Sequence, residues 1–235
     1  MAHPTERNIR VNFETFFGEW LNRQQNYLDQ LHLEITPEHV DKYEQHLSLI
    51  DQVLSHYQQY YGEKSVAARE DVILFFSPPW FTSFERTLLW IGGFRPTLVF
   101  KLINHSVHDL TAEQERVLDR LKAETRKGEK ELAETMARIQ ESLASPPSMN
   151  LARRGNLIDG EALELDSAMK DLQTGMLAAL EAADALRGTT VRKVLHVLHP
   201  VQTVKLLTAA AQFHLRIRRW GLQRDELGTA ATNGL

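Results

Sequence analysis

The chain has 235 residues, with 27 Lys and Arg against 31 Asp and Glu, which gives a formal net charge of −4. This length suits one large domain, and 43% hydrophobic with 25% charged residues is typical of a folded protein. The absence of cysteine excludes disulfides, thiolate metal sites and cysteine nucleophiles. No apolar run reaches the roughly 20 residues that span a bilayer, and no signal-peptide core is present. We therefore expect a protein of the nucleus and cytoplasm without membrane contact.

The charge is unevenly distributed along the chain. Residues 1–62 carry a net charge of −5 and residues 63–186 carry −5, whereas residues 187–225 carry +7. A basic C-terminal segment on an acidic body indicates either pairing with acidic neighbours inside the chain or an acidic partner.

Apolar residues recur at three- and four-residue spacing almost throughout, and no period-two pattern is present. The pattern predicts an all-α fold, a single domain of long and mostly antiparallel helices. After a short N-terminal tail over residues 1–11, we expect a first helix, a second from Pro37 to Gly62, and a third over residues 66–76.

Local signals then mark the start and end of shorter helices. Thr82 and Glu85 have the spacing of a capping box and predict a helix that ends at Gly92 and Gly93. Pro96 is suited to the first turn of the next helix.

The remaining chain is predicted to contain three further long segments. Thr111 and Gln114 repeat the capping-box spacing before a charge-rich helix to about residue 143, interrupted at 127–129. A mobile loop is predicted over about 144–160. A helix follows to Gly188, then a short one, and a last helix runs from Pro200 to about residue 227. The predicted domain is therefore 12–227, followed by a disordered tail over 228–235.

No motif of a known catalytic class is present in the sequence. Phosphate-binding, dinucleotide-binding, serine-hydrolase and zinc-protease patterns are all missing, which predicts a non-enzymatic protein. His105 with His108, and His196 with His199, are pairs at helical spacing without a third ligand, so no metal site is predicted.

Three features are candidates for binding. His214 stands alone among apolar residues and is either a satisfied partly buried residue or an axial haem ligand. The basic cluster near the C-terminus fits a partner-binding surface, because arginine and tryptophan are frequent interface anchors. It lacks helix-turn-helix spacing, so direct sequence-specific DNA binding is not expected. The candidate contact residues, including the aromatic stripe of the first helix, are Phe16, Phe17, Trp20, Arg216, Arg218, Arg219 and Trp220.

A set of tryptophans and a Gly-Gly-Phe-Arg segment resembles one known domain. The chain is similar to the C-terminal regulatory domain of plant TGA-type bZIP transcription factors, and to the DELAY OF GERMINATION (seed dormancy) proteins that consist mainly of this domain. Segments 13–24, 182–187 and 198–225 agree as well. The signature residues, whose implied role is mainly structural, are Trp80, Glu85, Arg86, Trp90, Gly92, Gly93, Arg95 and Pro96.

This resemblance implies an all-helical regulatory module. The dormancy proteins act in abscisic-acid and seed-maturation signalling and are linked to type-2C protein phosphatases. Since only twelve residues precede Phe13, we expect a stand-alone protein without a bZIP region. An alternative is a transcriptional co-regulator that associates with TGA-type bZIP factors. Exposed apolar stripes would also allow a homodimer.

The resemblance also bears on a cofactor. The dormancy protein binds haem and carries a His-x-x-x-His pair in its last helix. Here His214 matches the first position and Arg218 occupies the second, which weakens the expectation of haem. Thr15, Phe16 and Phe17 replace an Asp-Ser-Tyr segment associated with phosphatase docking, so that docking is predicted to be altered. A haem or lipid sensor is the second alternative function.

Overall fold

A computed structural model describes residues 4–36, 43–143 and 159–232. The helices formed by these described residues are α1 Pro4–Glu34, α2 Tyr43–Glu70, α3 Ile73–Phe76, α4 Ser83–Thr87, α5 Leu98–Ser106, α6 Ala112–Leu143, α7 Asp159–Val197 and α8 Pro200–Thr232. Within those ranges, the only β-type pairing is a single bridge between Trp90 and Gly93. The predicted all-α class is therefore confirmed. None of the described helices has an apolar stretch of membrane-spanning length.

The long helices pack mainly as antiparallel neighbours. Between α1 and α2, the Trp20 Nε1 donates to the His56 carbonyl at 3.1 Å and the Gln24 amide donates to the Tyr57 hydroxyl at 2.8 Å. Helix α8 packs against α1, α2, α4 and α5. Helices α6 and α7 form a second antiparallel pair, in which Gly128 lets the Leu186 side chain approach closely.

Three apolar clusters form the core. The first lies between α1, α2, the segment around α3, and α7, and we call it the aromatic cluster; its buried members are Phe13, Phe17, Trp20, Ala67, Ala68, Val72, Phe75, Trp80 and Leu180. The second joins α5, α6, α7 and α8 through residues that include Phe100, Ile103, Leu118, Val194 and Leu206. The third joins α1, α2 and α8 through Leu31, Leu49, Ile50, Val53, Val204 and Leu207.

Both predicted capping boxes are present. The Thr82 hydroxyl accepts from the Glu85 amide at 3.2 Å, and the Glu85 carboxylate accepts from the Thr82 amide at 2.8 Å. Thr111 and Gln114 make the same reciprocal pair at the start of α6. Pro200 begins α8 as predicted. These signals are local, so tertiary packing does not override them.

The structure corrects several predicted helix ends. Helix α2 passes through Gly62 to Glu70, and α7 passes through Gly188 to Val197. A glycine inside a helix costs about 1 kcal/mol relative to alanine, which packing on both sides outweighs. Helix α4 ends at Thr87, before the predicted end at Gly92. Helix α6 is continuous through residues 127–129.

The two ends of the chain and the segment predicted as a loop over 144–160 also differ from the sequence-based prediction. Helix α1 begins at Pro4, so most of the predicted tail over 1–11 is helical. Helix α8 reaches Thr232, beyond the predicted domain end at residue 227. Helix α7 begins at Asp159, inside the predicted loop over 144–160. The rest of that loop, and Pro37, lie outside the described residues.

Candidate functional site

The Gly-Gly-Phe-Arg segment forms a tight turn between α4 and α5. The Trp90 amide donates to the Gly93 carbonyl at 2.7 Å, and the Gly93 amide donates to the Trp90 carbonyl at 3.3 Å. Ile91 has φ 43° and Gly92 has φ 66°, so both lie in the left-handed region. That region is unfavourable for a β-branched residue, so surrounding contacts must hold Ile91 there.

Two buried cations bind the backbone of this turn. The Arg187 guanidinium donates to the carbonyls of Trp90 at 2.5 Å, Ile91 at 2.9 Å and Phe94 at 2.8 Å. The Lys64 ammonium donates to the Gly92 carbonyl at 2.8 Å. These bonds satisfy carbonyl groups that would otherwise lose hydration without replacement.

Asp184 pairs with both cations, and its single negative charge leaves the group with a net positive charge. Its carboxylate accepts from Lys64 at 2.8 Å and 2.9 Å through its two oxygens, and from Arg187 at 2.5 Å. The side chain of Lys64 is 1% exposed, and burial lowers its pKa to about 8 while Asp184 opposes the shift. Lys64 is therefore charged at neutral pH. We call Lys64, Asp184 and Arg187 the turn clamp.

The two glycines of the turn have separate structural reasons. A Cβ on Gly92 would collide with the Leu180 side chain, in addition to the positive φ. A Cβ on Gly93 would lie 3.0 Å from the Arg187 guanidinium carbon. A side chain at Gly92 would therefore displace the turn, whereas one at Gly93 would press on the Arg187 guanidinium.

Arg218 forms a second, half-buried connection between α8 and the region of α4. Its guanidinium donates to the Trp80 carbonyl at 2.6 Å and to the Glu85 carboxylate at 3.0 Å, and lies 5.5 Å from the centre of the Phe17 ring. One turn later, Gly221 packs directly against the Thr82 side chain. The charge of Arg218, which was predicted to contact a partner, is used inside the fold.

The same helix is tied to α4 once more through Asp225. Its carboxylate accepts from the Ser83 hydroxyl and from the Ser83 amide, the latter at 3.0 Å. These hydrogen bonds lower the pKa of Asp225. Arg218 and Asp225 together fix which face of α8 points towards α4.

The aromatic stripe of α1 is also largely internal. Phe17 and Trp20 are each 1% exposed, and Phe16 is half-buried against the aromatic cluster. The Trp20 ring stacks on the His56 ring at 4.5 Å with an interplanar angle of 6°. The expectation that Phe16, Phe17 and Trp20 form a contact surface is corrected for Phe17 and Trp20, since both belong to the core.

His214 lines a large cleft that sequence reasoning did not find. The cleft has a volume of about 670 Å³ and lies between α2, α5, α7 and α8. Its wall is mainly apolar and includes Leu54, Tyr57, Phe94, Val99, Leu102, Val191, Leu207 and Phe213. Asp184 and Arg187 of the turn clamp, together with Arg95 and Arg192, contribute polar groups to the lining. This volume falls in the range of small-molecule sites.

The histidines near this cleft are neutral at physiological pH. Burial lowers the pKa of His214 to about 4, and Arg218 adds to the shift while Glu85 opposes it. Burial also lowers the pKa of His56 to about 4, with smaller contributions from Arg23 and His214. The rings of Trp20 and Phe94 lie 5.5 Å and 6.0 Å from that of His214.

The remaining signature residues surround the turn. The Arg95 guanidinium lies 5.8 Å from the centre of the Trp90 ring and 3.8 Å from the Glu129 carboxylate. Pro96 lines the cleft, and Arg86 donates to the Phe81 carbonyl at 3.1 Å. These contacts all lie within the fold.

The other basic candidates face outwards. Trp220 is 65% exposed, and Arg216 and Arg219 are exposed beside it. Over the described residues, no three His, Asp or Glu side chains come together as a metal site would require.

Comparison with known proteins identifies the family. The profile of the family described as DOG1, seed dormancy control, matches residues 27–105. Protein DOG1-like 4 of Arabidopsis thaliana is 31% identical over 220 residues, covering 92% of this chain and 94% of that protein. The chain belongs to the DOG1 seed dormancy control family.

Two other relatives are more similar in sequence. Protein ZW2 of Arabidopsis thaliana is 44% identical over 217 residues, covering 89% of this chain and 96% of that protein. Protein RESPONSE TO ABA AND SALT 1 of the same plant is 42% identical over 215 residues, covering 88% of this chain and 94% of that protein.

Transcription factor TGA2 of Arabidopsis thaliana is 28% identical over 221 residues, covering 92% of this chain and 66% of the factor. The relation to TGA-type factors is thereby confirmed.

The family resemblance raises haem as a cofactor, and the residues can be tested for it. His214 offers a neutral imidazole to an apolar cleft, which suits one axial position. Arg218 stands where the second histidine would be, but it is bonded to Trp80 and Glu85 and does not line the cleft. The residues present therefore do not fit a haem held by two histidines of α8.

Proposed function

We propose that this protein is a non-enzymatic plant regulator of the seed dormancy and abscisic-acid type, which acts by protein–protein contact in the nucleus and cytoplasm. The observation that carries the proposal is the nearly full-length similarity to a relative named for its response to ABA and salt. That similarity spans 88% of this chain, so it covers most of the chain and not one isolated motif.

The buried charges support a regulatory scaffold. The side chains of Lys64 and Arg187 donate hydrogen bonds to the backbone of the turn and to Asp184. The Arg218 side chain donates to Glu85 of α4. These are the groups that an active site would use as acids, bases or charge stabilisers. Here they hold helices together, and the exposed end of α8 remains for contact with a partner.

Two partner classes follow from the family. Type-2C protein phosphatases are the partners implied by the dormancy branch, and TGA-type bZIP factors are those implied by the other branch. We favour the phosphatases, because the proteins named ZW2 and RESPONSE TO ABA AND SALT 1 are much more similar to this chain than TGA2 is.

An affinity purification from plant seed nuclear and cytoplasmic extract, followed by mass spectrometry, tests this proposal. Type-2C phosphatases are expected to be enriched on the folded protein. Enrichment of bZIP factors without phosphatases would instead support the co-regulator. Recovery of no protein above a heat-unfolded control would contradict the proposal.

A second candidate is a sensor for a small apolar ligand, and the 670 Å³ cleft is the observation that favours it. The cleft combines an apolar wall with the arginines Arg95 and Arg192 at its polar part, which suits a lipid with an acidic head. A displacement assay with a fluorescent fatty acid tests this function, with a tryptophan substitution at Ala210 on the cleft wall as the blocked variant. Equal binding by the blocked variant would contradict it.

Haem can be tested on the same cleft. A haemin titration followed through the Soret band, with His214→Ala as the comparison, measures whether this imidazole ligates iron. If the two spectra are the same, His214 is a structural residue.

A further inference from the structure

The exposed face of the last part of α8 carries an ordered stripe of side chains. Its members recur at three- and four-residue spacing, so they lie along one side of the helix. All of them are exposed, and they are Arg216, Arg219, Trp220, Gln223, Arg224 and Leu227. We call this set the basic–aromatic stripe.

The opposite face of α8 holds the stripe in place. Ile217 and Gly221 are buried, Gly221 directly against Thr82, and Arg218 and Asp225 are bonded to α4. Rotation of the helix to cover Trp220 would break all of these contacts. The stripe is therefore presented outwards without a prior conformational change, which lowers the entropic cost of binding.

Helix α4 extends the apolar centre of this surface. The ring of Phe84 lies 6.4 Å from that of Trp220, edge to face. Leu88, one turn after Phe84, is 37% exposed. An aromatic centre surrounded by arginines matches the composition of interface hot spots, where tryptophan and arginine dominate the binding energy.

Arg216 and Arg219 of the stripe have no acidic counterpart close by, whereas Arg224 is adjacent to Asp225 and interacts with its carboxylate. Residues 216–224 contain no acidic residue. In the described part of the chain, neither Arg216 nor Arg219 forms an ion pair, whereas the exposed Arg10 and Arg116 each pair with a glutamate on their own helix. All three cations of the stripe are arginines, whose planar guanidinium groups bind carboxylates through two parallel hydrogen bonds.

We propose that the basic–aromatic stripe binds an acidic helical segment of a partner protein, in which carboxylates pair with the arginines and an apolar side chain covers Trp220. The proposal rests on the proposed function as a protein-binding regulator. Three arginines on one helix face match a short run of carboxylates. The centre of the surface, formed by Trp220, Phe84 and Leu88, needs an apolar counterpart, which an amphipathic acidic helix supplies and a phosphodiester backbone does not.

The chain offers a built-in reporter for this site. Trp20, Trp80 and Trp90 are 1%, 5% and 9% exposed, whereas Trp220 is 65% exposed. Acrylamide is a neutral quencher, so its access to tryptophan does not depend on the arginines. Quenching therefore reports almost entirely on whether Trp220 is covered.

The experiment titrates the full chain with a tryptophan-free amphipathic helical peptide of Glu, Ala and Leu. The matched probe replaces every Glu with Gln, and a single-stranded DNA oligonucleotide and phosphatidylserine vesicles are the other two probes. We expect the acidic peptide to reduce acrylamide quenching about twofold or more. The Gln peptide, the DNA and the vesicles are expected to leave it unchanged.

Two charge-matched variants locate the effect. Arg216→Glu with Arg219→Glu is expected to weaken peptide binding at least about tenfold, equivalent to about 1.4 kcal/mol. Lys127→Glu with Lys130→Glu makes the same change in net charge at 79% and 80% exposed side chains of α6, and is expected to leave the affinity unchanged. Melting temperatures of both variants verify that they are folded.

Several results would overturn the proposal. Equal loss of affinity in both double variants would show a general charge effect, and protection by DNA or vesicles alone would assign the stripe to another class of partner. An affinity purification that recovers partners equally well with wild type and with Arg216→Glu, Arg219→Glu would keep the proposed function and reject this surface.

Discussion

Arg218 and Arg219 are neighbours in sequence but belong to two different regions of the molecule. Arg218 points into the fold and is bonded to the Trp80 carbonyl and Glu85, whereas Arg219 lies on the exposed basic–aromatic stripe. The turn clamp resembles Arg218 in this respect, because Arg187 uses its donors inside the chain. The comparison teaches that the position of an arginine around the helix decides whether it serves stability or recognition.

The largest loss of unfolding free energy is expected from a substitution in the turn clamp. Arg187→Ala removes the guanidinium donor from the carbonyls of Trp90, Ile91 and Phe94 and deprives Asp184 of one cation. Breaking a buried ion pair from one side typically costs about 3–5 kcal/mol. Urea unfolding followed by circular dichroism measures the loss. Arg192→Ala, on the exposed side of the same helix, is the control, with an expected change within about 0.5 kcal/mol.

The buried histidines predict a loss of stability in acid. The pKa of His56 is about 4 in the folded chain and 6.5 in the unfolded chain, so the unfolded state binds more protons between these values. Stability is therefore fully present above pH 6.5 and is lost as pH falls towards 4, by about 3 kcal/mol for this group. Unfolding free energies at pH 7 and pH 4.5 should differ less for His56→Phe than for wild type. His105→Gln, at an exposed position, should leave the difference unchanged.

Alanine substitutions of the two neighbouring arginines should differ in their effect on the free energy of unfolding, by less than the Arg187 substitution costs. Arg218→Ala leaves the buried Glu85 without its cation, and we expect a cost of about 2 kcal/mol because Arg218 is partly exposed. Arg219→Ala is expected to change the free energy of unfolding by less than about 0.5 kcal/mol. Thermal melts of both variants measure this contrast. Equal destabilisation by the two substitutions would contradict the division between the regions.

The smallest effect on stability, with a strong optical readout, is expected at Trp220. Trp220→Phe should remove most of the acrylamide-sensitive fluorescence and change the free energy of unfolding by less than about 0.5 kcal/mol. Trp20→Phe should do the reverse, since Trp20 is buried and its ring stacks on His56. If quenching persists in Trp220→Phe, one of the core tryptophans is accessible to solvent.

Local sequence signals predicted the fold where short-range chemistry decides it. Thr82 with Glu85 and Pro200 mark helix starts through contacts within one turn, and the structure confirms them. Gly62 and Gly188 were predicted to end helices, but their neighbours pack well enough for the helices to continue.

The candidate site was harder to predict because it depends on long-range contacts. The cations Lys64 and Arg187 meet the turn across 28 and 93–97 residues of sequence, and no local pattern encodes such a distance. One signal was available for Arg218. It lies one helical position after the buried Ile217 and four positions after His214, on the inner side of α8. Arg216, Arg218 and Arg219 were treated as a single basic cluster, so the inward position of Arg218 around the helix was not predicted.

The turn clamp also has a genetic consequence. Every carbonyl from Trp90 to Gly92, and that of Phe94, is already bonded to a cation within the same chain. An allele that alters Gly92 or Gly93 should therefore behave as a temperature-sensitive lesion, with normal activity in the cold and a reduced amount of protein in the heat. An allele at Arg219 or Trp220 should give the opposite phenotype, with a normal amount of protein and lost activity at every temperature.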